Sequence, residues 1–205
     1  PITKYGGIIS KYDGRIDPLK FQNSLDQAIA KSNIIQINHP VQQLERIEIP
    51  NKGKWKIHLK DQKPLYQDVI IICTALGSQL LLEDLGYSYQ IQPVLGQAIE
   101  IKCLLKELKN WPAVLVFNGI NFIPNGLNSL LIGATVEEGL KPSKSYLEQF
   151  FEINGQSLKW LRQDTIKNHW YGIRARPTNK AAPILENLET GLIVASCHYR
   201  NGILL

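Results

Sequence analysis

Five consecutive apolar residues, Val69–Cys73, lie between Asp68 and Thr74 without a polar interruption. A strand with one wet face alternates, so an unbroken run of this length predicts a strand covered on both faces, usually in a parallel sheet. Ser78–Leu85 follows as a short helix that ends at Gly86. Upstream, Asp17 can cap a helix, Pro18 suits its first position, and Leu19, Leu25, Ala28 and Ile29 recur at helical spacing. The helix is expected over Pro18–Lys31. Ile34–Asn38 and Val41–Ile49 read as extended, Asn51-Lys52-Gly53 as a turn, and Trp55, Ile57 and Leu59 alternate with Lys54, Lys56, His58 and Lys60. These form an antiparallel meander with one solvated face.

From Gln90 onward, strands separated by Pro and Gly turns dominate. Gln97–Cys103, Ala113–Phe117 and Leu130–Val136 are candidate partners, with turn chemistry at Asn118-Gly119 and Asn125-Gly126. Tyr146, Leu147, Phe150, Phe151 and Trp160 fall on helical faces in Ser145–Phe151 and Leu158–Leu161, separated at Asn154-Gly155, and Gly191–Ser196 is the last strand. The fold class is α+β or mixed α/β, in two domains.

Composition narrows the function classes. The 205 residues carry 23 Lys and Arg against 18 Asp and Glu, and the lysines are scattered, so nucleic acid is not expected. No apolar run approaches the roughly 18 residues that span a bilayer, so no membrane partner is expected and a cytoplasmic location is. Cys73, Cys103 and Cys197 form no CxxC, and four dispersed histidines suggest no metal site. Cys73 reads as a small apolar filler. There is no Met and the chain starts Pro1-Ile2, so a fragment cut at both ends is expected. No GxGxxG is present, so the phosphate-cradling turn of a dinucleotide fold is not claimed.

Two segments concentrate the candidate chemistry. Trp170–Pro177 holds Arg174 and Arg176 among aromatic and apolar residues, and His198–Leu205 places Arg200 between a strand and an apolar tail. A guanidinium offers a planar fork that matches a carboxylate, so Arg174 and Arg200 can together grip a small carboxylic acid. From spacing alone, internal ion pairs or solvent-directed side chains are the favoured explanation of the same residues. Arg176 reads as a surface or ion-pair arginine, and His198 as a structural group at a strand end.

Six landmarks in order resemble the FAD-dependent glycine oxidases of thiamine biosynthesis, within the D-amino-acid oxidase and sarcosine oxidase superfamily. They are Gly6-Gly7 with Asp13–Pro18, the strand and turn of Val69–Ser78, Pro93–Gln97, Ile132–Glu137, Trp170–Pro177 and His198–Leu205. The resemblance implies an antiparallel-sheet substrate domain interleaved with part of an FAD-binding α/β domain. Residues 18–89 and 165–205 would belong to the FAD domain, and 90–164, with residues 1–17 as an edge, to the substrate domain.

The resemblance also implies an activity: oxidative deamination of glycine or a related small amino acid through an imine, with molecular oxygen reduced to hydrogen peroxide, feeding thiazole formation. Arg174 and Arg200 match substrate-carboxylate arginines, and Val136 and Phe122 would help set the pocket. Phe122 is read as standing where many members carry a tyrosine hydroxyl, so Phe122→Tyr is expected to be tolerated. Thr74 and Ala75, in the flavin-facing turn, and Gly202, Ile203 and Leu204 match cofactor-binding positions. Ala75 departs from a usual glycine, and Gly77 from a usual bulky aromatic. No acid–base residue is expected, because a hydride leaving the α-carbon needs alignment more than proton transfer. The alternatives are the same fold acting on sarcosine, proline or a D-amino acid, or a non-catalytic binding protein without FAD. A homo-oligomer is compatible with all of them.

Overall fold

The computed structural model describes residues 15–48, 53–103, 114–153, 156–157, 161 and 165–199. Helix α1 spans Pro18–Ala30, and the Asp17 carboxylate accepts from the N–H groups of Leu19 and Lys20. Such a cap satisfies otherwise orphaned donors and contributes about 1 kcal/mol. The expected meander follows as β1 (Val41–Arg46), β2 (Trp55–Leu59) and β3 (Leu65–Gln67), all antiparallel. Alternation on β2 buries Trp55 and Leu59 at its two ends. Ile34–Asn38 forms no strand, since no ladder partner lies beside it among the described residues, and Ile35 is 84% exposed.

Strand β4 (Ile70–Ile72) runs parallel to a C-terminal strand, β14 (Leu192–Ser196), which forms a hairpin with β13 (Ile184–Glu189). The expected parallel pairing is present. The expectation of two covered faces is corrected: β4 sits at the sheet edge, Ile72 is buried, and Val69 and Ile71 are 56% and 58% exposed. No described element packs over that face, and Cys73 is exposed rather than a filler. A single 3-10 turn, Ala75–Gly77, leads into α2 (Ser78–Glu83), and Gly86 closes this stretch with φ +89°.

The largest sheet contains β5 (Ile91–Lys102), β6 (Leu115–Phe117), β7 (Ile120–Pro124), β8 (Ser129–Gly133), β9 (Glu137–Glu138) and β12 (Ile166–Pro177). The β6–β7 hairpin turns at Asn118-Gly119, both at positive φ, as a tight two-residue connection demands. Helix α3 (Lys144–Glu148) continues into a 3-10 turn that buries Phe150 and Phe151, and β10 (Glu152–Ile153) pairs with β11 (Gln156–Ser157). The expected break at Asn154-Gly155, the helix over Leu158–Leu161 apart from buried Leu161, and Trp160 lie outside the described residues.

Two apolar cores divide the molecule. One joins Trp55, Ile72, Leu82, Leu192, Val194 and Ala175, so the meander, the parallel pair and α2 share it. The other joins Ile99, Ile101, Phe122, Leu130, Ile132 and Phe150. Strands β5 and β12 pair antiparallel along their length and cross from one core to the other: Ile91 and Ala175 pack in the first, Ile101 and Ile166 in the second. Arg46 clamps the first core from outside. It lies over the Trp55 and Tyr87 rings, pairs with Glu189 and donates to the Leu85 carbonyl.

Candidate functional site

Register decides which side chains share a face. Arg174 pairs with Val94 and Trp170 with Ala98, while Ala98 pairs with Gly133, which pairs with Asn121. Paired residues point to the same side and alternate along each strand. Arg174, Trp170, Gly96, Gly133 and Asn121 therefore share one face. Phe122 pairs with Ile132, Ile132 with Ile99 and Ile99 with His169, which places Phe122 on the opposite face, 2% exposed in the second core. Phe122, expected from the resemblance to help set the pocket, therefore lies one residue out of phase with Arg174. Asn121 occupies that face instead, and its Nδ2 donates to the Gly133 carbonyl at 3.1 Å.

The Arg174 guanidinium folds back over β5. A Cβ built at Gly96 would lie 2.7 Å from Arg174 Cζ, so this glycine is the seat of the side chain. Arg174 Nη1 donates to the Thr135 carbonyl at 3.3 Å. Asn121 and Arg174 are thus tethered to carbonyls only two residues apart, whose Cα atoms are separated by at most about 7.6 Å. An amide and a guanidinium tethered on one face offer complementary partners for the two ends of a small amino acid. Val136 is 43% exposed between buried Thr135 and Glu137.

Beneath the sheet, Glu137 is 2% exposed and collects donors. Gln97 Nε2 and the Ser143 N–H reach it at 2.8 and 2.9 Å, and the Thr135 hydroxyl makes a very short contact. Gln97 Nε2 also donates to the Ser143 carbonyl, which leaves Gln97 Oε1 to accept from His169 Nε2 at 2.9 Å. Glu100, on the Arg174 face, is 5% exposed. Hydrogen bonds from Ser129, Asn168, Asn125 and Lys167 outweigh its burial and hold the carboxyl at about 2.

The turn after β4 lies where the parallel strands β4 and β14 end, the usual position for a ligand in such sheets. Ala75 has φ +50°, a left-handed conformation that glycine adopts freely and alanine at a cost. Its carbonyl accepts weakly from Cys197 Sγ, and a hydroxyl ladder, Thr74–Ser78–Ser196, ties the turn to β14. Cys197 and Tyr199 also have positive φ. The Ala75–Gly77 turn packs against both β5 and β12, and Arg176 lies 6.0 Å from the Tyr199 ring centroid and 3.5 Å from Gln92 Oε1. The turn, the segment after β14 and the strands that carry Arg174 and Gly96 thus meet. Arg200, Gly202, Ile203 and Leu204 lie outside the described residues.

Among the described residues no helix is long and apolar enough to cross a membrane, and no cluster of His, Cys, Asp and Glu is arranged to hold a metal. Comparison with known proteins agrees with this layout. The family model described as FAD dependent oxidoreductase matches residues 1–205. A glycine oxidase of Pseudomonas putida is 29% identical over 146 residues, covering 69% of this chain and 39% of that protein. One from Geobacillus kaustophilus is 28% identical over 142 residues, covering 67% and 37%. The crystal structure of glycine oxidase from Geobacillus kaustophilus superposes with a TM-score of 0.62 at 25% identity, over 79% of this chain and 44% of that one. The matched segments therefore span less than half the length of these relatives.

Proposed function

The chain belongs to the FAD-dependent oxidoreductase family, and from that premise we propose that the complete protein is a glycine oxidase, deaminating glycine or a similarly small amino acid through an imine. The observation that carries this reading is the Arg174 guanidinium, seated on Gly96 and held by the Thr135 carbonyl, on strands that touch the Ala75–Gly77 turn. A guanidinium so placed receives a substrate carboxylate in two parallel hydrogen bonds. The Asn121 amide turns its nitrogen to Gly133, so its Oδ1 is presented as an acceptor for the substrate ammonium or amine. Val136, exposed next to Thr135, would help bound the pocket.

The left-handed turn, the hydroxyl ladder and the ends of the parallel strands fit a flavin. Thr74 and Ala75 would hold it from one side, together with Gly202, Ile203 and Leu204. Bound there, FAD would supply the hydride acceptor for the substrate α-carbon and the route by which electrons reach oxygen as hydrogen peroxide. The protein's own contribution is alignment: Arg174 fixes the carboxylate and Asn121 the nitrogen, which leaves the α-carbon one orientation. Arg200 is proposed as a second carboxylate ligand; its chain neighbour Tyr199 lies beside Arg176.

The proposed division assigns 18–89 and 165–205 to the cofactor domain and 90–164, with 1–17, to the substrate domain. The passage of β12 between the two cores supports an interleaved arrangement. The imine product places the enzyme before a thiazole-forming step, as in thiamine synthesis, and a cytoplasmic location follows from that role. The test is an amine panel with peroxide readout on the complete FAD-loaded protein. Glycine is expected to lead; turnover of sarcosine, proline or D-alanine far above glycine would overturn the choice of substrate.

A further inference from the structure

We infer that Glu137 is a positioning residue for substrate-carboxylate binding, acting through Thr135 and Gln97 on the seat of Arg174. The inference rests on the reading of Arg174 as the carboxylate ligand and adds to it a residue that never meets substrate. Glu137 points away from the Arg174 face: it pairs with Leu95 on β5, in phase with Gln97 and out of phase with Gly96. Yet two contacts that hold the guanidinium, at the Thr135 carbonyl and over Gly96, belong to segments joined by this carboxylate. The Thr135 carbonyl receives Arg174, while the Thr135 hydroxyl donates to Glu137 and accepts from the Gln97 N–H at 2.7 Å. The Thr135 N–H donates to the Gln97 carbonyl at 3.1 Å. Gly96, on which the guanidinium lies, is the residue before Gln97, whose side chain is held by Glu137 and by the Ser143 carbonyl.

The chemistry of the node requires a carboxylate. Gln97 Nε2, the Thr135 hydroxyl and the Ser143 N–H all donate, and they occupy both oxygens. A glutamine at 137 would set an amide NH2 against one of those donors, leaving two buried donors facing each other. With the NH2 in the place of Oε1, it faces both Gln97 and Thr135. Thr135, released from the node, would carry its carbonyl out of the position that Arg174 uses, so that the fork would lose its aim. A purely structural role predicts a different outcome, in which stability falls and every substrate suffers alike.

The test uses the complete FAD-loaded protein and two ligand types: glycolate, whose affinity is read from the flavin absorbance change, and paired substrates with and without a carboxylate, glycine and aminoacetonitrile. Wild-type protein that neither binds glycolate nor oxidises glycine would remove the underlying reading of Arg174. Given a wild type that does both, Glu137→Gln is expected to weaken glycolate at least tenfold and to raise KM for glycine by a similar factor. Its kcat/KM for aminoacetonitrile should stay within about threefold of wild type. Thr135→Val should reproduce the loss and Thr135→Ser should restore it, which keeps the inference testable if Glu137→Gln does not fold. Glycolate affinity within twofold of wild type in Thr135→Val, or equal loss on both substrates, would overturn the inference.

Discussion

The Arg174 guanidinium rests on the backbone of Gly96, where a Cβ would stand 2.7 Å from Cζ. The glycine is required by this close approach, since its φ is not in the left-handed region. It couples a local backbone choice on β5 to the orientation of a cation on β12, and it explains why a Gly-Gln pair and an arginine 78 positions later act as one unit.

Gly96→Ala is therefore expected to move Arg174 rather than to unfold the sheet, because the guanidinium is the mobile partner of the clash. Carboxylate affinity of the complete protein should fall about tenfold, roughly 1.4 kcal/mol. Thermal unfolding, followed by circular dichroism, should shift little. Retained glycolate affinity would show that the seat is not used.

Arg174→Lys keeps the charge and loses the planar fork. Substrate binding is expected to weaken by about 1.5–3 kcal/mol, the range for hydrogen bonds to charged groups. Steady-state kinetics on glycine reads this as a raised KM, and an unchanged KM and rate would remove Arg174 from the site.

The two adjacent residues of β7 should respond oppositely to tyrosine. Phe122→Tyr places a hydroxyl in the second core and is expected to destabilise by about 1–3 kcal/mol, the cost of a buried polar group without a partner. This reverses the tolerance that the sequence alone suggests. Asn121→Tyr puts the hydroxyl on the Arg174 face and should leave the denaturation midpoint within experimental spread. Equal midpoints for both variants would contradict the assigned phase of the strand.

Glu100 gives a pH signature. Its folded-state pKa of about 2 lies below the ordinary carboxyl value of 4.5, so its stabilising contribution is fully present above about pH 4.5. The contribution disappears as pH falls through the folded value. The depression corresponds to a contribution on the order of 3 kcal/mol. Urea unfolding from pH 6 to pH 2.5 should show a steeper acid loss in the wild type than in Glu100→Gln, and parallel curves would place the carboxylate outside the network.

Local chemistry made much of this fold legible, and tertiary pairing hid the rest. The Asp17-Pro18 start of α1, the β1–β3 meander and the parallel nature of β4 follow from caps, alternation and an apolar run. Phase between strands does not follow from alternation in any one of them. The resemblance over Asn118–Pro124 therefore pointed to Phe122, although Asn121, a polar residue between two apolar ones, was the available signal. Nor does a run such as Val69–Cys73 say which of its faces finds a partner, and Ile71 is exposed beside buried Ile72. The Glu137 node links residues 40 positions apart and becomes visible only once β5 and β9 are paired.

The most direct measurement is a crystal structure of the complete FAD-loaded protein with glycolate bound. The account predicts the ligand carboxylate within hydrogen-bond distance of the Arg174 guanidinium, above Gly96 and on the same face as Asn121. A carboxylate bound on the Phe122 face, or away from Arg174 altogether, would contradict it.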